Sequence, residues 1–583
     1  MPVVLDLADI QGNVLNAYGK QGYPVGRFML FHIPAAHGGR RFVMDLLPLV
    51  TTAQRWTGGD AANAAVPRPR VAVNIAFTFP GLVALETPTR TLRGLPDEFI
   101  DGMAKRAPML GDDYHRPASD ASPNSRAFLE SWDKVWRPSP NSSGPLGDDR
   151  AVHILVTLNA GLETLQVTDK IASPAMEETT DAIKALAIKH GVTLLEGHSL
   201  DGAAPYQDLS AIFARDDAGQ FLLDDKGLPI PQPTEHFGFV DGISDPVFEG
   251  QYPDESPKAA AIGGGALDES GNWRPLATGE FLLGYPDEAQ EPSGGALPLD
   301  FCRNGTFMAY RKLHQNVDAW DAFIAKSAEG LAKSFGIASV ADARELLLAK
   351  MAGRWSDGVP TALASTLDEW RAFNAQYPKA DPRKDRAAYD KRASALVDFG
   401  YAKDLKGSRC PMTSHVRRVN TRDGLDPIAL TDDNPTLQTP ATSVLNNRRR
   451  ILRRGLPYGG GARTVAGSDD RGIVMLVVCA DLFRQFEFVQ QQWINYGLDS
   501  YSGNDTCPIV GNHSLGDAEP DETARKRNGP KAKFVVPAAE GSERPPYTVE
   551  GLPQFVETRG GDYFFIPSLT ALSMIAMGTV DPT

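Results

Sequence analysis

Strand-like and helix-like stretches alternate through the first 200 residues in an order that restricts the topologies open to this chain. Arg27–Ile33 (RFMLFHI) is apolar enough for a buried strand, and Arg41–Trp56 follows with Phe42, Leu46, Leu47 and Val50 at helical spacing. Val71–Phe79 (VAVNIAFTF) and Val152–Leu158 (VHILVTL) are two more strands. Thr179–His190 reads as a second helix with Gly191 as its stop, and Val192–Leu195 closes the set. A similar order recurs later. Thr306–Arg311 is strand-like, Asp318–Phe335 is amphipathic, and Ile473–Cys479 (IVMLVVC) is the strongest strand of the chain. Leu482–Trp493 follows as a helix and Tyr563–Ile566 as a final strand.

The order β-α-β-β-α-β is the ferredoxin-like arrangement. The expected fold is therefore α+β, with two ferredoxin-like domains of antiparallel sheet, 1–230 and 231–583, the second enlarged by insertions. Gly111–Arg150, Gly250–Pro298 and Gly511–Glu550 are rich in Pro, Gly, Ser and charge and read as long surface loops. With 583 residues, 42% of them hydrophobic, the chain can bury a sizeable core.

A formal net charge of −14 argues for a soluble acidic protein and against a nucleic-acid partner, since phosphate binding needs a basic face. The run Arg448-Arg449-Arg450 therefore needs a local explanation. The four cysteines, Cys302, Cys410, Cys479 and Cys507, form no CxxC pair, so neither a zinc ribbon nor a thioredoxin-like centre is supported. Their sparseness fits a reducing compartment. The opening MPVVLDLADIQGNVL lacks a basic n-region and a continuous apolar core, and the apolar stretch near Ile473–Ala480 is too short to span a bilayer. A cytoplasmic protein with no membrane association is the expectation.

Ten histidines leave few candidates for chemistry. His32 and His153 lie inside apolar strands and suit packing; His37, His115 and His513 lie in polar loops and suit solvation. His236 opens Glu235-His236-Phe237-Gly238-Phe239-Val240-Asp241-Gly242-Ile243. This run fits a turn, since Asp-Gly is a turn dipeptide. It also fits a carboxylate among Phe239, Val240 and Ile243, where desolvation would raise its pKa toward a useful range. His415 sits in Cys410-Pro411-Met412-Thr413-Ser414-His415-Val416-Arg417-Arg418, with Arg422 beyond. The segment suits a solvated basic surface, or an imidazole ligand with arginines for anionic groups. One His cannot build a zinc site, but it can hold a haem iron. Arg449–Gly459 is either a solvated basic strand or one that buries Ile451, Leu452 and Leu456 and turns an arginine inward, where it needs an anionic partner.

Taken together and in this order, the motifs resemble those of the dye-decolorizing peroxidases, haem enzymes built from two ferredoxin-like domains. Gly238-Phe239-Val240-Asp241-Gly242 matches the family's GxxDG signature. The His415 segment is similar to its proximal-histidine stretch, and Arg453-Arg454-Gly455 to the region of its distal arginine. Weaker matches are Asp9–Leu15, Gly353-Arg354-Trp355 and Gly560–Phe565.

The resemblance implies one haem b per chain in the second domain, with His415 as axial iron ligand and Gly242, Ile243 and Arg422 as further haem-binding positions, Arg422 toward a propionate. An acidic partner for the other ring nitrogen of His415 is expected, Glu487 first and Asp562 second. The resemblance further implies that Asp241 moves the proton of hydrogen peroxide and Arg453 stabilises the departing oxygen. An oxoferryl species then oxidises dyes, phenols or similar aromatic donors in one-electron steps, the bulky ones at a surface Trp or Tyr. Arg453 is preferred over Arg454, which is expected to face solvent or a surface carboxylate. A haem-handling protein with little turnover is the alternative; it would need His415 without Asp241 and Arg453.

Overall fold

The computed structural model describes residues 3–57, 66–112, 127–165, 171–425, 444–459, 470–513 and 532–580, apart from 140–141, 143, 217, 255, 269–271, 293–296, 383, 501, 504 and 540 within them. The first half contains β1 (Val25–His32), α1 (Ala36–Leu46), β2 (Val71–Phe77), β3 (Ile154–Ala160), α2 (Pro174–His190) and β4 (Thr193–Leu195). The second contains β5 (Thr306–Gln315), α3 (Val317–Phe335), α4 (Val340–Ala352), β6 (Leu452–Tyr458), β7 (Gly472–Cys479) and β8 (Val556–Ile566). Strand order is β4-β1-β3-β2 in one half and β8-β5-β7-β6 in the other, the same antiparallel ferredoxin-like order twice.

The two sheets are not separate. Phe565 of β8 pairs with Phe77 of β2, so the halves share one continuous sheet and each covers an edge the other would leave unpaired. Its last strand is much longer than Tyr563–Ile566 suggested, because Gly560 and Gly561 lie inside it. The expected helix Arg41–Trp56 stops at Leu46. Pro48 has no N–H to continue the ladder, and Leu47–Leu49 tightens into a 3-10 turn. The helix expected over Leu482–Trp493 is wound as two π-helical segments, Leu482–Glu487 and Val489–Ile494. Strand β6 carries the weakest strand signal, since Arg453, Arg454, Gly455 and Pro457 interrupt its apolar pattern.

The three presumed surface loops are packed where they are described. Arg311 and Lys312 of β5 are each 1% exposed, and buried cations need carboxylates. Asp112 and Asp133 supply them at 2.6 and 2.7 Å, which draws Gly111–Arg150 against the sheet; residues 113–126 of that stretch lie outside the described residues. Within Gly250–Pro298, Phe281, Leu282 and Leu283 are fully buried. In Gly511–Glu550, Lys533–Val536 pairs with Tyr547–Glu550 as a ribbon; residues 514–531 lie outside the described residues.

The arginine run finds its local explanation here. Arg448 pairs with Asp287 at 2.9 Å, Arg449 donates to the Arg484 carbonyl, and Arg450 donates to the carbonyls of Gly264 and Gly265. No helix among the described residues is long and apolar enough to cross a membrane. Two apolar cores result, one along the shared sheet and one around α3, α4 and the π-helical segments. The second includes Trp320, Trp355, Trp493 and Phe555, with Phe239, Ile243, Val419 and Ile451 packed against it.

Candidate active site

Asp241 and Arg453 meet although 212 positions separate them in sequence: Nη2 donates to Oδ1 at 2.7 Å and Nη1 to Oδ2 at 3.3 Å. The loop bearing Asp241 is closed by Glu235, whose carboxylate accepts from the N–H groups of Phe237 and Phe239. His236 ties it to β6 through Nε2 and the Tyr458 carbonyl, 2.8 Å apart. His236, two residues before the signature, thus joins the loop to the strand that carries Arg453. Turn and carboxylate descriptions both hold for this run, since the Gly242 N–H bonds back to Asp241 Oδ1 at 2.7 Å.

Both side chains keep 43% of their surface open, so the pair is reachable from solvent rather than sealed in a core. The expected upward pKa shift of Asp241 is not what the surroundings produce. Burial does push the carboxyl up, but the Arg453 charge and hydrogen bond, the Gly242 N–H and the Lys20 charge together hold it at about 2. An apolar flank raises a carboxyl only when no guanidinium faces it.

Arg453 and Arg454 point to opposite faces of β6, as adjacent strand residues must. Arg454 does not face solvent, however. Its side chain is 6% exposed and donates to the carbonyls of Asn13 and Val14, with Asp245 at 3.8 Å. The N-terminal segment covers that face of β6, with the partly exposed Asp245 nearby.

Of the two readings of the His415 segment, the solvated basic surface does not hold. His415 opens a short helix, His415–Val419, and Arg417, Arg418 and Arg422 are all buried. Arg417 pairs with Asp404 at 2.8 Å. Arg418 donates to the carbonyls of Trp493, Tyr496 and Asp505 and so satisfies acceptors at the end of the π-helical segment. Arg422 donates to the carbonyls of Val397, Phe399 and Gly263, while its Nε is buried with no hydrogen-bond partner. Its backbone stands in the left-handed region at φ +48°, a conformation costing a non-glycine residue about 1–2 kcal/mol.

The Asp241 loop and the His415 helix are brought together by the turn that follows α4. Gly353 (φ +85°) lies under Cys410, Ser414 and Val416, where a Cβ would come within 3.3–3.5 Å of each. Gly358 (φ +93°) lies under Ile243, whose Cδ1 would be 2.6 Å from a Cβ. Between them Arg354 donates to the carbonyls of Gly358 and Leu396. Arg354, Arg422 and Arg450 are each less than a tenth exposed, and among the described residues none of them hydrogen-bonds a carboxylate. Burial depresses the proton affinity of all three, and Arg354 and Arg450 depress that of Arg422 further. Such a cluster suits an anionic group.

Neither expected acid reaches His415. Glu487 is taken by Arg106 and by the Tyr563 hydroxyl, and Asp562 accepts from the N–H groups of Met103 and Tyr563. The fold turns Glu487 into the protein at 1% exposure, while Asp562 is only partly buried and is used by backbone N–H groups. Nδ1 of His415 instead lies 3.3 Å from Sγ of Cys507, a residue without any motif to mark it. Burial pushes that thiol up, but the His415 charge and hydrogen bond and the Arg418 charge more than offset it, leaving it below its ordinary value. Nε2 of His415 has no partner among the described residues. The remaining histidines are structural or exposed: His32 and His153 stack at 4.4 Å, His37 is exposed, and His115 lies outside the described residues. His513, expected in solvent, is held by the carbonyls of Pro553 and Cys507.

No family model matches the chain. Among curated proteins it is 26% identical to a dye-decolorizing peroxidase of Mycena epipterygia, over 98% of this chain and 87% of that one. It is 25% identical, with the same coverage, to peroxidase 2 of Mycetinis scorodonius. Among solved structures, a dye-decolorizing peroxidase in complex with 2,6-dimethoxyphenol superposes with a TM-score of 0.62 at 22% identity, covering 98% of this chain and all of that one. In sequence along nearly its whole length, and in fold, the neighbours of this chain are dye-decolorizing peroxidases.

Proposed function

We propose that this protein is a haem-dependent peroxidase that uses hydrogen peroxide to oxidise dyes, phenols or similar aromatic donors. The observation that carries the reading is the Asp241–Arg453 pair: an ionised carboxylate and a guanidinium in bidentate contact, both still open to solvent. Haem fits the residues present. Nε2 of His415 is available as an iron ligand, and Nε of Arg422 is an unpaired buried donor for a propionate in a cluster short of anions. When bound, the haem iron would supply the redox chemistry that accepts two electron equivalents' worth of oxidation from peroxide and passes them to donors singly.

The chain's own residues supply the proton handling. Oδ1 of Asp241 is engaged by both Arg453 and Gly242, so Oδ2, with its single longer contact, is the oxygen that takes the peroxide proton. A carboxyl held at about 2 gives that proton up readily to the leaving oxygen. Arg453 stands beside it to stabilise negative charge developing on that oxygen. Ile243, packed on Gly358, walls the carboxylate from the second core.

The test is a visible spectrum of the purified protein followed by peroxide-dependent oxidation of 2,6-dimethoxyphenol. A Soret band and turnover that falls at least a hundredfold in Asp241→Asn are expected, within the range of about 10²–10⁴ for a lost acid–base group. A Soret band without turnover would point to haem handling, and no Soret band after reconstitution would end the haem reading.

A further inference from the structure

We infer that Cys507 is the positioning residue for His415, its sulfur standing where a carboxylate was expected to hold the imidazole. The inference deepens the haem reading and rests on it for the role of Nε2. Its structural basis is independent of that reading: Nδ1 and Sγ are 3.3 Å apart, and Cys507 is fully buried.

The sulfur is held from its own backbone outward. The Cys507 N–H donates to the Ile494 carbonyl at 2.7 Å, at the end of the π-helical segment. Its carbonyl accepts from Gly511 N–H at 3.0 Å and faces His513 Nε2 at 2.9 Å. Arg418, three residues after His415, donates to the carbonyls of Trp493 and Asp505 that flank this anchorage. The helix carrying the imidazole and the loop carrying the sulfur are thus fixed to the same turn of backbone, which sets the ring angle.

Among the described residues no carboxylate takes the place. Glu487 and Asp562 are consumed elsewhere, and the side chain of Asp505, two residues away, lies toward Lys533 at 3.8 Å. With Nδ1–H donating to Sγ, the lone pair of the ring lies on Nε2. Sulfur accepts a hydrogen bond more weakly than a carboxylate does, so the imidazole is oriented without being made as basic. An iron held by such a ligand is easier to reduce than one whose histidine is backed by a carboxylate.

Two measurements on the full chain test this. In the apoprotein, long-range ¹H–¹⁵N correlation of histidine side chains should show His415 as the Nδ1–H tautomer in the wild type. In Cys507→Ala that preference should be lost, and Cys507→Ser should recover it in part. In the haem-loaded protein, Cys507→Asp should shift the ferric/ferrous midpoint to lower potential and raise the iron–histidine stretching frequency of the ferrous form. Cys507→Ala should release haem to apomyoglobin about ten- to a hundredfold faster. An unchanged tautomer in Cys507→Ala together with an unmoved potential in Cys507→Asp would overturn the inference. A chain that binds no haem yet shows the Cys507-dependent tautomer would refute the haem reading and leave the Cys507–His415 relationship standing.

Discussion

Arg453 and Arg454 are adjacent on one strand and are used in opposite ways: the first closes on Asp241 at a solvent-open position, and the second braces the N-terminal segment from within the protein. Arg453→Leu should slow the reaction with peroxide by about 10²–10³, the cost of losing a donor to a developing oxyanion, and cost at most the roughly 0–1 kcal/mol of a solvent-open ion pair with Asp241. Arg454→Leu should do the reverse. It strands the Asn13 and Val14 carbonyls and uncovers Asp245, so about 2–3 kcal/mol of stability should go. Stopped-flow peroxide kinetics and urea unfolding separate the two; equal kinetic losses would mean that the faces of β6 are not functionally distinct.

The carboxyl of Asp241 sits at about 2, below the ordinary 3.8, chiefly because Arg453 overcomes the burial that would raise it. A depressed carboxyl stabilises the fold above its unfolded pKa of about 4, and that contribution is lost as pH falls toward 2. It also follows that Asp241 is ionised throughout any working range. The rate of reaction with peroxide should therefore be flat from about pH 4 upward, and any acidic optimum in dye turnover belongs to the donor step. In Arg453→Leu only the Gly242 N–H and the Lys20 charge still oppose burial, and an acid limb should move up toward the measurable range. A wild-type peroxide reaction that falls off below pH 6 would contradict this.

Much of the fold was legible because its strands are long and apolar: Ile473–Cys479 and Val71–Phe79 lie within a residue or two of β7 and β2. Strand β6 was hard to see because its work is polar, and the π-helical winding of Leu482–Ile494 has no signature in an amphipathic pattern. The motifs also marked Asp241 and Arg453, which the fold brings into contact, and His415, the proposed iron ligand. Their supports went unmarked: Cys507 stands 92 residues from His415, and Glu487 and Asp562 looked available only until Arg106, Met103 and Tyr563 claimed them. Local pattern marks a reactive residue, whereas the group that orients it is chosen by tertiary packing.

His415→Ala should lose the axial ligand. Its helix packs its arginines inward, so the fold should survive the change, and haem content and the Soret spectrum report the ligand alone. Circular dichroism close to wild type with haem occupancy sharply reduced is the expected pair of results. Full occupancy with an unaltered Soret band would move the ligand to another residue.

Gly358 should be the least replaceable residue of the turn between the two loops. Its φ of +93° disfavours any side chain, and a Cβ would come within 2.6 Å of Ile243. Gly358→Ala should cost about 1–2 kcal/mol from the backbone alone, and it should push Ile243 and with it Asp241 away from Arg453. Urea unfolding and stopped-flow kinetics would then fall together, unlike in either arginine variant. A stable Gly358→Ala with a wild-type peroxide rate would show that Ile243 yields without moving the carboxylate.

The arginine cluster gives the last expectation. Arg422 holds a left-handed backbone, keeps one buried nitrogen unpaired, and lies near Arg354 and Arg450, which disfavour its charge. Each of those features costs stability in the chain alone, and the unpaired nitrogen and the crowded charges are relieved if an anion arrives. Arg422→Ala should therefore weaken haem retention while sparing axial ligation through His415. One charge-assisted hydrogen bond is worth about 1.5–3 kcal/mol, so haem transfer to apomyoglobin should quicken roughly ten- to a hundredfold with the Soret maximum in place. Arg422→Lys keeps the charge but not the fork that grips three carbonyls, and should fall between the two. Release at the wild-type rate from Arg422→Ala would assign the arginine to holding the carbonyls of Val397, Phe399 and Gly263 and nothing more.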